Sequence, residues 1–540
     1  MSDPEPRQPL LPPGPEGFRF EWAEPGDADI SWEWDDMHMP EPLSPLGGDY
    51  CQLIAQGFAY RFERIGVPVQ VLARVWHGYA YYGVSAPLPK AELDALWERM
   101  PELRRNEIPA TAGYWNERAI PELRAAYAEL DAIDAAAMAP EDLAVAWDES
   151  WARIGRAWRI HFYAITGVYQ VLDDLAAQYE ALVADASPGE ALRLIGGTVS
   201  EVQDVAEGLE RLVDLARDDP AVSAWLRAGA DAPQPIGHAF AEMLGDFLRR
   251  HGHLGQSWDD LQIASWAEEP HKLLRDVAKR LDAPGERVAD RQRRLAEDAE
   301  QLLGRVRQSA DDRPEELAAF ERTLAAAREI GHISETHNYW IDRMAQATLR
   351  RLVMRVAARL VESGALADPA DVFYLRRDEI RDLILAPRDR RELVAARRAE
   401  HAQQRQLTPL PWVGQPPDEG GGNRFDTPER QEQPGEEVRG AGASAGIARG
   451  PARVARGQAD FDRIQPGDVI VCPSSNPSWV PLFSIAAALV TDTGGVLSHA
   501  AVVARELGLP AVVGTRDATH RIADGRLVEV DGAAGIVRLL

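Results

Sequence analysis

Residues 411–440 divide this chain into two parts whose sequence patterns differ. The segment is dense in Gly, Pro and charged residues and poor in aliphatic side chains. A segment of this composition cannot bury enough apolar surface to offset the entropy of ordering it. We therefore predict a flexible linker over residues 411–440, with a separate folded region on each side of it.

The region before this linker is dominated by helical spacing. From about residue 88 to 408, apolar residues recur every three or four positions, and Pro or Gly residues separate the runs. The longest run extends from Pro140 to about Ala184 and carries Trp147, Trp151 and Trp158 on one face. This pattern predicts a large, mostly α-helical domain over residues 19–410.

The N-terminal segment has two parts. Residues 1–18 are rich in Pro, Gly and Glu, and we predict a disordered tail there. The stretch from Phe18 to Leu46 is broken by Pro yet rich in Trp, so we predict an extended strap that packs across the helices. In one interpretation the strap only covers the core. In the other, Asp36 and His38 lie at the edge of a substrate cleft.

The region after the linker has a different pattern. Short apolar, β-like runs alternate with Gly turns and a single clear helix. We predict strands at residues 452–455, 469–471, 489–491, 511–513, 527–530 and 536–539. These elements predict a compact α+β domain over residues 441–540, which the linker leaves free to move.

The helix of this second domain begins at a serine and a histidine. Ser498 is a suitable N-cap, which leaves His499 in the first turn beside unpaired backbone N–H groups. Such a helix start favours anions, so a phosphoryl group on His499 is favoured by both the backbone and the helix dipole. The alternative is a histidine with no role beyond its place in the helix.

The wider phrase around this histidine resembles the mobile phosphohistidine domain of phosphoenolpyruvate-utilising enzymes. The resemblance spans residues 441–540 and includes Gly-Gly, Ser-His, Ala-Arg-Glu and Gly-Leu-Pro-Ala at residues 494–511. It implies that His499 is the covalent nucleophile that carries a phosphoryl group. It also implies phosphate-supporting roles for Ser498, Gly494, Gly495, Thr491 and Arg505. For Arg505 a structural ion pair is an equal alternative.

The order of the two domains is similar to that in rifampin-phosphotransferase-like and phenylphosphate-synthase-like members of this family. Those members also use an ATP-grasp module, and no Gly-rich, Lys-bearing region of that kind precedes the helical pattern here. We therefore expect ATP and Mg²⁺ to bind a separate subunit that resembles the N-terminal part of phosphoenolpyruvate synthase. The implied reaction converts ATP, water and an acceptor into AMP, phosphate and phosphorylated acceptor.

The helical domain is expected to bind a small hydroxylated acceptor that is apolar or aromatic. General-base assistance requires a histidine or carboxylate within hydrogen-bond reach of the acceptor hydroxyl. The candidate residues are His253, His161, His337, Glu335, Asp36 and His38, with Asn338, Tyr339 and Asp342 on the same helical run as His337. Two alternatives stay open. In one, phosphorylation activates the hydroxyl for dehydration. In the other, the chain is a non-catalytic binding protein.

Charge and composition exclude several other functions. The formal net charge is −27 and no basic cluster is present, which argues against nucleic acid as a partner. No apolar run reaches the roughly 20 residues that a membrane helix requires. Cys51 and Cys472 lie far apart, so we predict neither a disulfide nor a metal site. The sequence thus predicts a cytoplasmic protein.

Overall fold

The structure is a computed structural model of the chain. It describes residues 22–36, 38–186, 189–196, 201–229, 238–255, 260–282, 287–416, 437–475, 479–496 and 498–540. The predicted tail over residues 1–18 and most of the predicted linker lie outside these described residues. The described residues form a mostly helical part followed by a C-terminal part built on a sheet.

The helical part contains helices of very different lengths. The α-helices are α1 (Pro45–Arg64), α2 (Lys90–Glu98), α3 (Met100–Arg105), α4 (Ile108–Gly113), α5 (Ile120–Asp131), α6 (Pro140–Leu182), α7 (Glu201–Asp218), α8 (Pro220–Arg227), α9 (His238–His251), α10 (Pro270–Arg280), α11 (Val288–Ser309), α12 (Pro314–Ile330), α13 (Ile333–His337), α14 (Met344–Glu362), α15 (Arg377–Leu385) and α16 (Arg391–Gln404). Two π-helical segments precede α5 and α14, at Tyr114–Ala119 and Asn338–Arg343. Single 3₁₀ turns lie at Asp27–Asp29, Glu190–Ile195 and Pro369–Tyr374.

Helix α6 is the centre of this part, as the long apolar run predicted. Its tryptophans Trp147, Trp151 and Trp158 are all buried. Helix α1 crosses α6 at Gly57, where an added Cβ would lie 2.6 Å from the Trp158 carbonyl group. Only glycine permits this approach, because any side chain would displace one of the two backbones. The crossing sets aromatic residues of α1 against those of α6.

A small antiparallel sheet lies beside α1. Its strands are β1 (Ser31–Trp34), β2 (Gln70–Trp76), β3 (Tyr79–Ser85) and β4 (Trp412–Gly414), in the order β2-β3-β1-β4. The predicted strap is thus partly a strand, with Trp32 buried at its centre. The predicted linker is wrong at its beginning, because Val413 pairs with Trp32 across the sheet. This pairing joins segments from opposite ends of the helical part, which local patterns do not report.

The C-terminal part is an eight-stranded mixed sheet with short helices on it. Its strands are β5 (Glu437–Arg439), β6 (Ala441–Ser444), β7 (Ile447–Val454), β8 (Val469–Cys472), β9 (Ala488–Thr491), β10 (Ala511–Val513), β11 (Leu527–Asp531) and β12 (Ile536–Leu539). They lie in the order β5-β12-β11-β7-β8-β9-β10-β6, with parallel pairs from β7 through β10. The predicted strands are confirmed. The end of the predicted linker is wrong, because β5 pairs with β12.

Three short α-helices belong to this sheet, namely α17 (Val480–Phe483), α18 (His499–Glu506) and α19 (Ala518–Arg521), and a 3₁₀ turn covers Gln458–Arg463. Helix α18 is fixed by its buried residues Ala501, Val503 and Ala504, which share a core with β6 and β10. That core therefore holds the start of α18 in place relative to the sheet. Within the described ranges, no helix is both long and apolar enough to cross a membrane.

Candidate active site

Helix α18 begins at the residues that the sequence singled out. Ser498 has extended backbone angles, and its Oγ accepts a hydrogen bond from the Ala501 backbone N–H at 3.4 Å. The predicted N-cap is therefore confirmed. His499 is the first residue of the helix, where the backbone N–H groups have no partner within the helix. The structure describes the backbone at His499 and not the placement of its side chain.

The two glycines before this helix differ in their surroundings. Gly494 has a φ of +97°, and an added Cβ there would lie 2.9 Å from the Ser498 hydroxyl oxygen. Both facts require glycine at this position, because L-residues disfavour that backbone region. Among the residues that the structure describes, no heavy atom lies within 4 Å of a Cβ added at Gly495. The open space at Gly495 is compatible with the predicted close approach of a phosphate.

Thr491 and Arg505 make structural contacts. Thr491 is fully buried, and its hydroxyl donates to the Thr493 carbonyl oxygen at 2.7 Å. Its hydroxyl is therefore engaged by the loop itself, and the predicted contact with the phosphate stays a prediction. Arg505 lies at the far end of α18 and donates from Nη1 to the Ala443 carbonyl oxygen at 3.1 Å. This contact ties α18 to β6 and does not depend on an anion at His499.

A carboxylate that sequence reasoning missed fixes the same loop. Asp492 is buried and accepts a 3.0 Å hydrogen bond from the Thr519 backbone N–H and another from the Thr519 hydroxyl. The hydroxyl of Thr515 donates to the Thr491 carbonyl oxygen at 2.8 Å. The loop is therefore anchored to the start of α19, a connection that only the folded sheet reveals.

Three of the predicted acceptor-site residues meet in the helical part. His161 of α6 lies with Nδ1 2.8 Å from Oδ1 of Asp342, and both side chains are more than nine-tenths buried. The ring of His337 stands edge-on to that of His161, with centroids 4.4 Å apart. Nδ1 of His337 lies 2.6 Å from the Ile333 carbonyl oxygen, which orients its ring. No described residue bonds to Nε2 of His161.

The strap contributes a second histidine–carboxylate pair. Asp35 Oδ1 accepts from the His38 backbone N–H at 3.0 Å and lies 2.8 Å from His38 Nδ1. The pKa of His38 is raised, because burial alone would lower it but the charges of Asp35, Asp342 and Asp36 outweigh that effect. The pKa of Asp36 is raised by burial and by Asp35. The His38 side chain stays 46% exposed, so the pair remains accessible to solvent.

Aromatic rings pack beside the His161–Asp342 pair. We name Phe58, Trp158, His161 and Phe162 the aromatic wall. Phe58 of α1 stacks on Phe162 with centroids 4.8 Å apart, and Phe162 and Trp158 lie 4.4 and 4.9 Å from the His161 ring. Phe58 and Phe162 remain partly exposed. The wall therefore offers an apolar surface beside a buried histidine–carboxylate pair.

The other two candidates, His253 and Glu335, lie beyond this wall. The ring of His253 stands edge-on to Tyr339 at 4.5 Å, and its pKa lies well below the usual value because of burial and the nearby charges of His251, Arg351 and Arg343. Glu335 is buried and accepts from Asn338 at 3.5 Å. Glu335 and Tyr339 both line a cavity between the two parts of the molecule.

This interdomain cavity has a volume of about 550 Å³. The helical part contributes α7, α10, α11 and Arg343 of the second π-helical segment, and the C-terminal part contributes residues 507–510 after α18. The two parts are joined at its rim, where Arg280 donates to the Ser484 hydroxyl at 2.5 Å and Lys279 to the Phe461 carbonyl oxygen at 3.2 Å. His499 begins α18 eight residues before Leu507, about 12 Å away along the helix axis.

Comparison with known proteins identifies both parts. Residues 464–535 match the mobile domain of PEP-utilising enzymes, and residues 161–335 match the fourth domain of rifampicin phosphotransferase. The first match contains Ser498 and His499. The second contains His161, His253 and Glu335. Within the described residues, no group of three or more His, Cys, Asp or Glu side chains is arranged to hold a metal ion.

Curated relatives are longer than this chain. Chondramide synthase cmdD of Chondromyces crocatus is 31% identical over 98% of the chain and 14% of that protein. The uncharacterized phosphotransferase YvkC of Bacillus subtilis is 35% identical over 41% of the chain and 27% of its own length.

Rifampicin phosphotransferase of Streptomyces sviceus is 36% identical over 41% of the chain and 24% of its own length. The chain spans from 14% to 36% of the first relatives that it matches. Two regions of the chain are thus similar to domains of known enzymes, residues 464–535 to the mobile domain of PEP-utilising enzymes and residues 161–335 to the fourth domain of rifampicin phosphotransferase.

Proposed function

We propose that this chain is the phosphoryl-transferring part of a phosphotransferase. His499 carries a phosphoryl group from ATP to a small hydroxylated acceptor, which binds at the aromatic wall. The observation that carries the proposal is the position of His499 at a capped helix start, in a domain that matches the mobile domain of PEP-utilising enzymes. The alternative without catalysis gives no physical reason for a histidine at this helix start.

His499 takes part in two displacements at phosphorus. In the first, an imidazole nitrogen of His499 forms a P–N bond to the β-phosphorus of ATP while the P–O bond to AMP breaks. Water then attacks the γ-phosphorus of the resulting pyrophosphoryl group, and the bridging P–O bond breaks to release phosphate. In the second displacement, the acceptor oxygen forms a P–O bond, the P–N bond breaks and His499 returns to neutral imidazole. ATP and water are thus converted to AMP and phosphate while the acceptor is phosphorylated. A neutral histidine is nucleophilic enough for the first step near pH 7.

The second displacement requires a base for the acceptor hydroxyl proton. We propose His161, because an Asp342 carboxylate oxygen lies 2.8 Å from its Nδ1, although not in hydrogen-bond geometry, and Nε2 is left without a described partner. A negative charge at this distance stabilises the imidazolium that forms. His38, with its Asp35 partner and its exposure to solvent, is placed to pass this proton on to water.

The carrier domain must turn to perform both displacements. His499 lies at the end of α18 opposite to the interdomain cavity, whereas Arg343 and Glu335 line that cavity from the acceptor side. Near the start of α18, Val496 packs against Gly189 of the helical part. We infer that this docked arrangement is one of two positions, and that discharge brings His499 to the face now occupied by residues 507–510.

ATP and Mg²⁺ are expected outside these 540 residues. We propose an ATP-grasp subunit as the source of the phosphoryl group, which fits the partial coverage of the longer phosphotransferase relatives. The acceptor is proposed to be apolar or aromatic because rings dominate the wall. Product analysis decides whether phosphate stays on the product, as expected for a phosphotransferase, or is eliminated in a dehydration.

The test follows the phosphoryl group. Tagged chain is incubated with ³²P-labelled ATP in an extract of its native host, reisolated and digested for mass spectrometry. We expect one acid-labile phosphohistidine at residue 499, absent from His499→Ala and retained in His520→Ala, whose exposed histidine lies on α19 of the same domain. Label that persists in His499→Ala contradicts the proposal.

A further inference from the structure

Two arginines on α1 and α3 have incompletely satisfied guanidinium groups. Arg61 of α1 and Arg104 of α3 each have a buried Nε atom with no hydrogen-bond partner. Among the described residues, no carboxylate lies within ion-pair distance of either group, although the charge of Asp173 acts on Arg104. The next residue provides the contrast, because Arg105 donates twice to Asp174 at 2.6 Å.

Arg61 is held in a fixed position beside the wall. Its guanidinium carbon lies 5.1 Å from the ring centroids of both Phe58 and Phe62. Phe58 is itself part of the wall and stacks on Phe162. Contacts between a guanidinium group and aromatic rings orient the fork and leave its N–H edge for another group. That edge is therefore presented at the margin of the proposed acceptor surface.

The electrostatics of this corner indicate a missing anion. Burial lowers the pKa of Arg61 to about 9, and the charge of Arg104 acts in the same direction. Burial also lowers the pKa of Arg104, against the opposing charge of Asp173. Guanidinium groups keep their proton in proteins, so both charges persist in partly desolvated surroundings. An uncompensated buried charge is costly unless a partner of opposite charge binds there.

Tyr169 links this corner to the proposed base. Its pKa is raised to about 12 by burial and by the charges of Glu335 and Asp342, while Arg61 opposes the shift. Tyr169 therefore lies within electrostatic range of both Arg61 and Asp342. Contacts from Arg61 through Phe58 and Phe162 to His161 also connect this arginine to the His161–Asp342 pair.

We propose that Arg61 and Arg104 bind an oxyanion of the acceptor, a carboxylate or phosphate group, while its aromatic body packs on the wall. This inference rests on the proposed function and narrows the acceptor to an anionic hydroxylated aromatic compound. The fork of a guanidinium group matches the two oxygens of such a group. A phosphoryl group in transit on His499 has the same chemistry, so the test must separate the two sources.

Binding to the full chain without ATP separates them. The probes are two charged and neutral pairs of equal shape, benzoate with benzamide and 2-naphthoate with 2-naphthamide, together with inorganic phosphate. Binding is followed by calorimetry and by fluorescence of the buried wall residue Trp158. We expect each carboxylate to bind about tenfold to a hundredfold more tightly than its amide, as a hydrogen bond to a charged group implies.

Variants then assign the preference to the two arginines. The double variant Arg61→Gln/Arg104→Gln should abolish the preference for the carboxylate probes, and Arg61→Lys/Arg104→Lys should retain part of it. Arg105→Gln is the matched control, because Arg105 lies on α3 next to Arg104. The Lys variant keeps the test valid if the Gln variant fails to fold. These binding measurements contain no ATP and need no phosphohistidine, so a negative result here is distinct from failure of the phosphohistidine assignment.

Three outcomes overturn the proposal. One is the absence of any charge preference, including the absence of binding by every probe. Another is a preference that survives in the double Gln variant. The third is arginine-dependent binding of inorganic phosphate without a preference among the aromatic pairs, which would assign the arginines to the transferred phosphoryl group.

Discussion

The carrier loop and the aromatic wall are built in opposite ways. The carrier loop, residues 491–499, is one contiguous segment. The hydroxyls of Ser498 and Thr491 form hydrogen bonds with nearby backbone groups, and Gly494 lies close to Ser498. At the wall, α1 and α6 each supply aromatic rings, and Asp342 of the second π-helical segment lies against His161. A loop of the first kind is specified by local geometry, whereas a surface of the second kind depends on the whole helical part.

The difference also separates two kinds of chemistry. The loop holds one nucleophile at a helix start and leaves open space at Gly495 for a small tetrahedral anion. The wall combines apolar area with charges of both signs, which suits a larger molecule that must be oriented. If this division is correct, mutations in the two regions should affect different steps of the transfer.

The largest effect is expected for Asp342→Asn. The amide keeps the shape of the side chain but removes the charge that holds His161, so phosphoryl transfer to the acceptor should fall by roughly 10²–10⁴-fold, the usual contribution of general-base catalysis. Formation of phosphohistidine at residue 499 should be unchanged. Formation is measured as incorporation of ³²P into the chain. Transfer is measured as loss of that label after addition of a metabolite extract from the host.

Asp311→Asn is the matched control for this variant, because Asp311 is exposed in the turn that follows α11. It should leave both steps unchanged. If Asp342→Asn discharges at the rate of the parent chain, His161 is not the base and the wall is only a packing surface. If it also fails to form phosphohistidine, the two regions are not independent.

The next effect compares two adjacent glycines. Gly494→Ala should destabilise the C-terminal part by about 1–3 kcal/mol, because φ is +97° and the new Cβ would lie 2.9 Å from Ser498. Gly495→Ala should change the free energy of unfolding by about 0.5 kcal/mol or less, because that Cβ meets nothing within 4 Å. Thermal unfolding measures both. Equal shifts would show that the loop does not depend on this strained turn.

Gly495→Ala also tests the chemistry of the loop. A methyl group in the open space would obstruct a phosphate that approaches the backbone, so labelling of His499 should fall although stability does not. Full labelling of Gly495→Ala would mean that the phosphate lies elsewhere.

The sequence predicted six strands and the capped helix of the carrier domain but not strands β5 and β6. Strands Ala511–Val513 and Ile536–Leu539, the N-cap at Ser498 and the helix start at His499 all agree with the structure. These features depend on local turn and capping chemistry, which a single sequence carries. The exceptions are Asp492, whose partners lie on α19, and Thr491, whose burial depends on the sheet.

The helical part was predicted only in outline. The sequence indicated α6 and the candidates His161 and His337 but not that their rings would meet, since 176 positions of chain separate them. It missed the hairpin of β2 and β3, and it assigned Trp412–Gly414 to a linker although β1 pairs with it. Pairing across such distances is decided by tertiary packing, which local periodicity does not contain.

A smaller effect distinguishes the cap from the phosphate site at Ser498. Ser498→Ala removes the acceptor of the Ala501 N–H bond and should cost about 1 kcal/mol of stability. Ser498→Asp should keep that stability, because aspartate is an equally good cap. Its negative charge should nevertheless repel the phosphoryl group and reduce labelling of His499. If Ser498→Asp is labelled at the parent rate, the phosphoryl group does not bind at this helix start.

The smallest effect concerns the junction between the two regions. Burial raises the pKa of Asp276 on α10 to about 6, and Asp462 of the C-terminal part adds to this shift against the opposing charges of Arg280, Lys279 and Arg275. The docked state therefore holds a proton that the released state loses near the ordinary pKa of about 3.9. Docking should weaken as the pH rises through this interval, because the docked state then binds more protons than the released one.

Asp276→Asn should remove this pH dependence while it preserves docking at neutral pH. Interdomain energy transfer between dyes on introduced exposed cysteines measures it, since the native residues Cys51 and Cys472 are buried. Asp462→Asn is the companion variant and should reduce the pH dependence only in part, because burial is the larger cause of the shift. The two pKa values, about 3.9 in the released state and about 6 in the docked state, bound the pH interval to test. If docking of the parent chain does not weaken within this interval, docking does not involve Asp276 and the carrier domain is held by its other contacts alone.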